Sequence, residues 1–374
     1  MAYIANKDTS MGKKKDKTVV WCTGISGSER TVYAREAAKV CEREGTKCRV
    51  IDVGELLKQV PSHLQVQPNP TALLDGNEEV LKLHRAQALR ELEGQINDAV
   101  SGELVIVSTH ACFMRTGRLL AGFDMAMIKD KFAPIIDVYA TVIDNCHDVW
   151  SRLQQHPQWA GHLNFMEVAI WRATEIALTR MLAEYESKPY YLLCRRDPAD
   201  ALHLVCGEPP APKVYLSYPI TAIQETRPEL LKEADALGHA LREAGFVVFN
   251  PLAIKDVPAT RKHAGLDMCV PPEEEKAAKR YLDSQTISRD MQLIDQADMV
   301  VVYYPTDKVS PGVFTEMSHA RDTRKPLYLC CFPGAPDSVS PFLGPLYTEA
   351  FRTPDEMLSR LVKLHPPHAQ PSNA

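Results

Sequence analysis

The residues best suited to chemistry are three acids in one stretch of the second half of the chain: Asp290, Asp307 and Glu316. When a glycosidic bond breaks, positive charge develops at the anomeric carbon, and a carboxylate can stabilise or covalently trap it. A second carboxyl group with a raised pKa can then give a proton to the departing group. The acids match this chemistry, but Glu316 also has a structural interpretation, because a helix dipole favours an acid near the helix N-terminus.

The local sequence pattern indicates which elements carry these acids. A helical segment carries Asp290 and ends near Ala297, and the apolar run from Met299 to Tyr304 is typical of a buried strand. A loop over 305–311 follows, and a helix then carries Glu316. Because open α/β sheets bind ligands at the carboxyl ends of their strands, we expect this loop and both helices to border one site.

The residues around these acids form a longer pattern. It consists of a first strand and turn, VYLSYPI, an Arg-Asp pair with the helix and strand that follow it, and then Gly312, Glu316, Ala320, Lys325 and Pro326. In this pattern residues 213–335 resemble the nucleoside 2-deoxyribosyltransferase superfamily, which also contains the 2'-deoxynucleoside 5'-monophosphate N-hydrolases. The resemblance implies that Glu316 is the nucleophile, that Asp290 engages the sugar or protonates the leaving base, and that Asp307 is a further acid. It also implies that this step needs no cofactor or metal and that the chain forms a homo-oligomer.

Polar residues after the predicted strands are candidates for substrate binding: Ser217, Tyr218, Thr221, Asn250, Ser310 and Gly312. Hydroxyl groups such as those of Ser217 and Thr221 can donate hydrogen bonds to a 5'-phosphate, and Tyr218 can contact the sugar or the base. Asn250 follows the second strand of this half and is expected at the rim of the site. Arg227 is either a further phosphate ligand or an ordinary surface arginine.

The first half begins with a different kind of site. A predicted strand leads into the loop Gly24-Ile25-Ser26-Gly27-Ser28-Glu29-Arg30-Thr31 and then into a helix, an arrangement that points amides and a helix dipole at an anion. Compared with the phosphate-loop pattern GxxxxGK(S/T), Glu29 replaces the second glycine and Arg30 replaces the lysine. The predicted phosphate-binding residues are Gly24, Gly27, Ser28, Arg30 and Thr31.

This loop, the segment RVIDVGELL and the strand ELVIVSTHA occur in a characteristic order. In these segments residues 17–206 resemble the archaeal-type adenylate kinases of the P-loop kinase superfamily. The resemblance implies ATP and Mg²⁺ at this half, with the Thr31 hydroxyl beside the metal. Ser108 stands where that family has an acid, and 151–164, which matches its arginine-bearing lid, contains only Arg152.

Apolar runs predict the strands of two sheets: residues 18–24, 47–53, 103–109, 135–143 and 190–194, and then 213–218, 246–250, 298–305 and 326–332. Nearly continuous apolar runs separated by helices indicate parallel strands buried on both faces. We therefore expect an α/β protein of two open, mainly parallel three-layer domains, one P-loop kinase-like and one deoxyribosyltransferase-like of Rossmann type. Three prolines within 209–212 mark the boundary between domains at 17–206 and 213–364. Residues 1–16 and 365–374 are expected to be disordered.

The composition of the 374 residues excludes several classes of protein. A hydrophobic fraction of 45% is enough for real cores, and a net charge of −5 argues against a nucleic-acid partner. The chain has no apolar run of membrane-spanning length and no signal-peptide pattern, so we expect a cytoplasmic protein without a membrane partner. The ten cysteines form no CxxC or Cys/His metal pattern and are expected to be reduced core thiols.

The function predicted from these patterns is the cleavage or transfer of an N-glycosidic bond on a nucleoside or nucleotide, whether the sugar goes to water or to another base. One alternative is a nucleoside monophosphate kinase that uses ATP. Another is a nucleotide-sensing effector that depletes nucleotides or NAD in defence. For the first half, Arg85 and Arg90 either contact a monophosphate or belong to an exposed helix face.

Overall fold

The computed structural model describes residues 17–59, 78–115, 117–207, 210–254, 256, 269–334, 337 and 340–366. Of the two segments predicted to be disordered, 1–16 and 365–374, only residues 365 and 366 fall within these ranges. Their disorder stays a prediction.

The first half contains seven strands and six labelled helices within the described residues. They are β1 (Lys17–Thr23), α1 (Arg30–Arg43), β2 (Cys48–Asp52), α2 (Val53–Gln59), α3 (Glu78–Asn97), β3 (Glu103–Ser108), β4 (Cys112–Arg115), β5 (Arg118–Ala121), β6 (Val138–Ile143), α4 (Cys146–Gln155), α5 (Phe165–Tyr185), β7 (Tyr190–Cys194) and α6 (Asp200–Cys206). A helical turn, Met125–Met127, continues as a π-helical turn, Ile128–Phe132.

The second half follows with β8 (Lys213–Ser217), α7 (Ile220–Thr226), α8 (Glu229–Glu243), β9 (Val247–Phe249), α9 (Pro272–Gln296), β10 (Met299–Tyr303), α10 (Pro311–Asp322), β11 (Leu327–Cys330), β12 (Glu349–Phe351) and α11 (Pro354–Leu364). Two 3-10 turns, Pro251–Ile254 and Gly344–Leu346, complete the described elements.

Each half contains one five-stranded sheet in which all neighbouring strands are parallel. The strand order is β2-β3-β1-β6-β7 in the first sheet and β12-β11-β10-β8-β9 in the second, and β4 pairs with β5 as a separate antiparallel hairpin. The predicted α/β class with two open parallel sheets is confirmed. In both sheets the carboxyl ends of the strands share one edge, and the loops that carry candidate residues begin at this edge.

Alternate strand residues face opposite cores, as the pleat of a strand requires. Val20 and Cys22 of β1 face a cluster that also contains Val302 of β10, so this cluster is shared by the two halves. Val19 and Trp21 of β1 face a second cluster on the other side of the first sheet. Both faces of β1 are therefore buried, which explains why the strand reads as a continuous apolar run.

Helix α9 connects the two halves. Its residues Ala278 and Leu282 pack in one cluster with Trp171 of α5. At its C-terminal end the Gln296 side chain accepts a hydrogen bond from the Leu192 N–H and donates one to the Leu192 carbonyl, both at 2.8 Å. Leu192 lies in β7, an edge strand of the first sheet, so α9 covers polar groups that this edge would otherwise leave open.

The two helices that carry the candidate acids begin well before those acids. The helix that carries Asp290 begins at Pro272, because the Glu- and Lys-rich residues before Thr286 are good helix formers. The helix that carries Glu316 begins at Pro311, so Glu316 lies in its second turn and not at its N-terminus. The helix-dipole interpretation of Glu316 is weakened accordingly, since the dipole acts within the first turn.

Candidate functional site

Glu316 lies against the carboxyl end of strand β8. Its carboxylate accepts hydrogen bonds from the Tyr215 hydroxyl at 2.9 Å and from the Ser217 hydroxyl at 2.5 Å. Tyr215 and Ser217 are two residues apart on one strand, so their side chains point to the same face. Helix α10 packs on that face through Val313 and Met317, which lie in the same cluster as Tyr215. The strand period and the helix packing together place the carboxylate between two hydroxyl donors.

The surroundings of Glu316 change its protonation. Burial, and to a smaller extent the nearby charge of Asp290, raise the pKa of Glu316 to about 7. The hydrogen bonds from Ser217 and Tyr215 oppose this shift, because they stabilise the ionised carboxylate. A carboxyl group that titrates near neutral pH in a partly buried position is typical of a functional site.

Asp290 is the second acid of this site. It lies on α9, where the Nε and Nη2 atoms of Arg289 both lie 3.1 Å from its Oδ1 atom. Burial raises the pKa of Asp290, Arg289 lowers it, and the charge of Asp256 raises it. Asp290 and Glu316 therefore come from two different helices and lie close enough for the charge of one to act on the pKa of the other.

Two of the predicted binding residues, Tyr218 and Asn250, lie together at the carboxyl edge of the second sheet. The Tyr218 hydroxyl donates a hydrogen bond of 2.8 Å to the Asn250 side-chain carbonyl, and both side chains are buried. The same Asn250 oxygen accepts the Leu252 N–H at 2.9 Å, which fixes its orientation. Tyr218 follows β8 and Asn250 follows β9, so these residues join two adjacent strand ends beside Ser217.

The other predicted site residues lie farther out. Thr221, Asp307 and Gly312 are exposed, and among the described residues none makes a hydrogen bond with Glu316 or Asp290. The Ser310 N–H donates to the Tyr304 hydroxyl at 2.8 Å, which orders the loop after β10. Arg227 reaches the start of that loop, where its Nη2 atom donates a hydrogen bond of 2.6 Å to the Pro305 carbonyl.

In the first half, the loop after β1 is tightly packed. A Cβ atom on Gly24 would lie 2.6 Å from the Val142 carbonyl oxygen, so only glycine fits there. Arg30 is buried, with its Nη1 atom donating to the Gly24 carbonyl at 2.7 Å and its Nε atom donating to the Ser108 hydroxyl at 3.1 Å. The arginine that replaces the usual lysine therefore binds the protein's own loop.

The acid in this loop also has partners within the chain. Glu29 has a left-handed backbone, with φ of 57°, at the position where the phosphate-loop pattern has glycine. Its carboxylate lies 3.2 Å from Arg195 and 3.8 Å from Arg152. Arg152 also donates to the Gly27 carbonyl at 2.6 Å and pairs with Asp144 at 2.7 Å. Arg152 and Arg195, which flank the loop, are therefore paired with the protein's own acids.

The fit of ATP and Mg²⁺ to this loop can be judged from these contacts. The Thr31 hydroxyl donates to Asp52 at 3.0 Å and lies 2.7 Å from the Ser108 hydroxyl. Asp52 therefore supplies a carboxylate beside Thr31, whereas position 108 is a serine. However, the Ser28 N–H is used by the Ile25 carbonyl at 3.1 Å, and the Glu29 carboxylate adds negative charge. The residues do not fit a triphosphate in this arrangement.

A cavity of about 150 Å³ lies beside this loop. Its lining includes Lys58, Arg85, His110, Phe113 and Trp159. The Arg85 guanidinium lies 5.4 Å from the centre of the Phe113 ring, and the His110 ring lies 4.5 Å from it. Burial and the charges of two neighbouring arginines lower the pKa of His110, so this ring is neutral. The cavity combines aromatic faces with cations, which suits a planar anionic ligand.

The structure separates the two arginines that the sequence left open. Arg85 is buried and borders the cavity, whereas Arg90 is exposed and donates to Gln87 on the same helix face. The sequence did not single out Tyr215, Asp52 or Trp159. Asp52 carried a usable signal, because it is an acid at the end of an apolar strand.

No protein-family model and no curated protein matches this chain. Among solved structures, a 2-deoxyribosyltransferase from Bacillus psychrosaccharolyticus is 17% identical, covers 38% of this chain and 88% of its own, and has a TM-score of 0.28. A CMP N-glycosidase from Clostridium botulinum is 18% identical, with 40% and 97% covered and a TM-score of 0.24. The APS kinase of Mycobacterium tuberculosis is 14% identical, with 72% and 97% covered and a TM-score of 0.20. These scores are too low to assign a family or an activity.

Within the described ranges, no helix is both long and apolar enough to cross a membrane. The same residues contain no cluster of three or more His, Cys, Asp or Glu side chains suited to a metal ion. All ten cysteines are free thiols, and most of them are buried.

Proposed function

We propose that the second half cleaves or transfers the N-glycosidic bond of a nucleoside or nucleotide, with Glu316 as the nucleophile. The observation that carries this proposal is the position of the Glu316 carboxylate between the hydroxyls of Tyr215 and Ser217 at the carboxyl edge of the sheet. A second acid, Asp290, lies close enough to influence its charge. This pairing supplies the two carboxyl groups that the reaction needs.

In the proposed reaction, an oxygen of ionised Glu316 attacks C1' of the sugar as the bond from C1' to the base nitrogen breaks. The two acids share one proton, which lies on Asp290 when Glu316 is ionised. Asp290 gives this proton to the departing base, so the base leaves neutral and Asp290 becomes a carboxylate. Water or a second base then attacks C1', its proton returns to Asp290, and the ester with Glu316 is released. The hydroxyls of Tyr215 and Ser217 hold Glu316 for the attack.

The neighbouring residues have roles in substrate binding under this proposal. The buried Tyr218–Asn250 pair forms a fixed wall for the sugar and base. Arg227 bridges to the loop after β10, where its guanidinium can meet a 5'-phosphate while keeping its bond to Pro305. Loop residues Ser310 and Asp307 would contact the substrate from outside.

The test uses the full chain and a panel of nucleosides, nucleotides and NAD, with release of free base followed by chromatography. We expect Glu316→Gln to lose at least about 10³-fold in rate, because the nucleophile is gone while the hydrogen bonds can still form. Asp322→Asn, on the exposed end of the same helix, is the matched control and keeps wild-type activity. Wild-type rates in Glu316→Gln would rule out the proposed role.

We infer, as a second candidate function, that the first half senses a nucleotide instead of phosphorylating it. The cavity beside the loop offers Lys58 and Arg85 to an anion and two aromatic faces to a base. The loop's own acid, Glu29, pairs with Arg152 and Arg195, so these two cations are engaged within the chain. Joined to a glycosidase, such a half would suit an effector that depletes nucleotides or NAD on a signal.

This second function is tested by calorimetric titration with mono-, di- and triphosphates. We expect Arg85→Met to weaken nucleotide binding by about tenfold or more, since a charge-assisted contact is lost. Arg90→Met, on the same helix but exposed, serves as the control and binds normally. Formation of a nucleoside diphosphate from ATP and any monophosphate would instead establish the kinase function.

A further inference from the structure

Four charged side chains lie in a row where the two halves meet. Arg172, on α5 of the first half, binds both oxygens of Asp256, at 2.8 and 2.6 Å. Asp256 also lies 3.7 Å from Arg289, and Arg289 in turn pairs with Asp290. The side chains of Arg172, Asp256 and Arg289 are 4%, 2% and 6% exposed, so water screens these charges little.

The two arginines compete for Asp256, and the distances show which one has the stronger contact. Arg172 makes a two-point contact with Asp256, whereas Arg289 comes no closer than an ion-pair distance. Among the described residues, the Nη1 atom of Arg289 has no hydrogen-bond partner, although it is buried. The Cys146 N–H occupies one further position on Asp256 at 2.9 Å. Arg289 is thus left to bind Asp290.

We propose that Arg172, a residue of the first half, is a positioning residue for the acid of the second half. By occupying Asp256, it keeps Arg289 on Asp290 and so sets the charge and orientation of that acid beside Glu316. The inference rests on the proposed glycosidase function for the role of Asp290, but the arrangement itself can be tested without activity. Without Arg172 of the first half, Asp290 would have a different charge and orientation.

The groups that face Asp290 determine the sign of each expected change. They are Arg289 on its own helix, Asp256 from the segment before α9, Tyr215 from β8 and Glu316 from α10. Removing the negative charge of Asp256 frees Arg289 for Asp290 and lowers the pKa of Asp290. Removing Arg172 lets Arg289 turn to Asp256, which raises the pKa of Asp290.

The experiment measures two quantities on the full-length protein: the pH dependence of base release and the carboxyl ¹³C titration of Asp290 in ¹³C-aspartate-labelled protein. The signal and the limb of the pH profile that belong to Asp290 are those lost in Asp290→Asn. We expect Asp256→Asn to shift both to lower pH and Arg172→Met to shift both to higher pH, each by about 0.5 pH unit or more. A purely structural role predicts no shifts of opposite sign.

Three further variants complete the test. Arg172→Met with Asp256→Asn removes a balanced pair of charges, and its titration is expected between those of the two single variants. Arg172→Lys keeps the charge, so its Asp290 titration should lie close to that of the wild type. Glu274→Ala is the matched control, since Glu274 links the same two helices by accepting the Phe165 N–H at 2.7 Å without touching Arg289. It should leave the Asp290 titration unchanged.

Arg172→Met leaves a buried carboxylate with one partner fewer, and this loss can prevent folding. Asp256→Asn, which keeps the shape of the side chain, then decides the matter alone. If neither variant moves the Asp290 titration, or if Glu274→Ala moves it equally, the inference is overturned. Shifts in the titration of a protein that releases no base from any substrate would support the inference and refute the proposed function.

Discussion

The Ser217 hydroxyl donates a hydrogen bond of 2.5 Å to the carboxylate of Glu316, a residue 99 positions farther along the chain. This bond joins the first strand of the second sheet to the helix that carries the proposed nucleophile. It opposes the effect of burial, which by itself favours the protonated form of Glu316. The ionisation of the site therefore depends on a hydroxyl group that the sequence suggested for a different task, the binding of phosphate.

Ser217→Ala should make Glu316 harder to ionise. The lost hydrogen bond stabilised the carboxylate, so the pKa of Glu316 rises and the acidic limb of the pH profile moves to higher pH. A hydrogen bond to a charged group contributes about 1.5–3 kcal/mol, so we expect roughly a tenfold loss of rate near neutral pH. Measured pH-rate profiles of base release test this, with the exposed Ser284→Ala as control. An unshifted limb would contradict it.

Glu316→Gln should stabilise the protein at alkaline pH. Burial holds the pKa of Glu316 at about 7 in the folded state, above the ordinary glutamate value of 4.5. The folded state therefore binds a proton that the unfolded state has lost, and stability decreases as the pH rises through about 7. We expect the gain in Tm of Glu316→Gln over wild type to be larger near pH 8 than near pH 5. Scanning calorimetry at both pH values measures it, and an equal gain at both would contradict the raised pKa.

Glu29→Gly should increase the affinity of the first half for a triphosphate. The change removes an acid from the loop, leaves Arg152 paired with Asp144 and Arg195 paired with Glu36, and places glycine where φ is 57°. Relief of the left-handed backbone strain at this position offsets the loss of two partly exposed ion pairs, so stability changes by about 1 kcal/mol or less. Calorimetric titration with ATP tests this. Glu36→Gln, which removes the other acid that contacts Arg195 and leaves the loop unaltered, should bind ATP like wild type.

Leu282→Ala should destabilise both halves together. Leu282 of α9 is buried against Trp171 of the first half, and a leucine-to-alanine change in a core costs about 2–5 kcal/mol. Because one cluster is shared by the two sheets, we expect a single unfolding transition that moves to lower denaturant concentration. Urea titrations followed by fluorescence and circular dichroism measure it. Ile287→Ala, at an exposed position of the same helix, should change little, and two separate transitions would contradict the prediction.

Each predicted apolar strand is present in the structure, within a few residues of its predicted ends. Runs such as 103–109 and 190–194 were readable because a parallel strand covered on both faces needs apolar residues at nearly every position. The hairpin of β4 and β5 and the short strand β12 were not predicted. Their four- and three-residue lengths provide too few positions for a period to appear.

The site residues divide in a similar way. Glu316 and Asp290 were singled out from the sequence, because they match the acids of the pattern that the second half resembles and suit the cleavage of a glycosidic bond. Tyr215 was not, because a tyrosine inside an apolar strand reads as a core residue until its hydroxyl is seen to reach Glu316. Arg172 and Asp256 gave no signal either, since their contact joins residues 84 positions apart.

The sequence by itself determined the α/β class, the order of the strands along the chain and the presence of acids beside the second sheet. These properties depend on the periodicity of apolar residues and on neighbours along the chain. Only the tertiary structure decided that Arg30 faces its own loop, that Arg85 lines a cavity while Arg90 does not, and that an arginine of the first half reaches the acids of the second. Partner choice among charged side chains depends on distances across the fold, and the Coulomb energy of a pair varies with separation and burial, which no local pattern records.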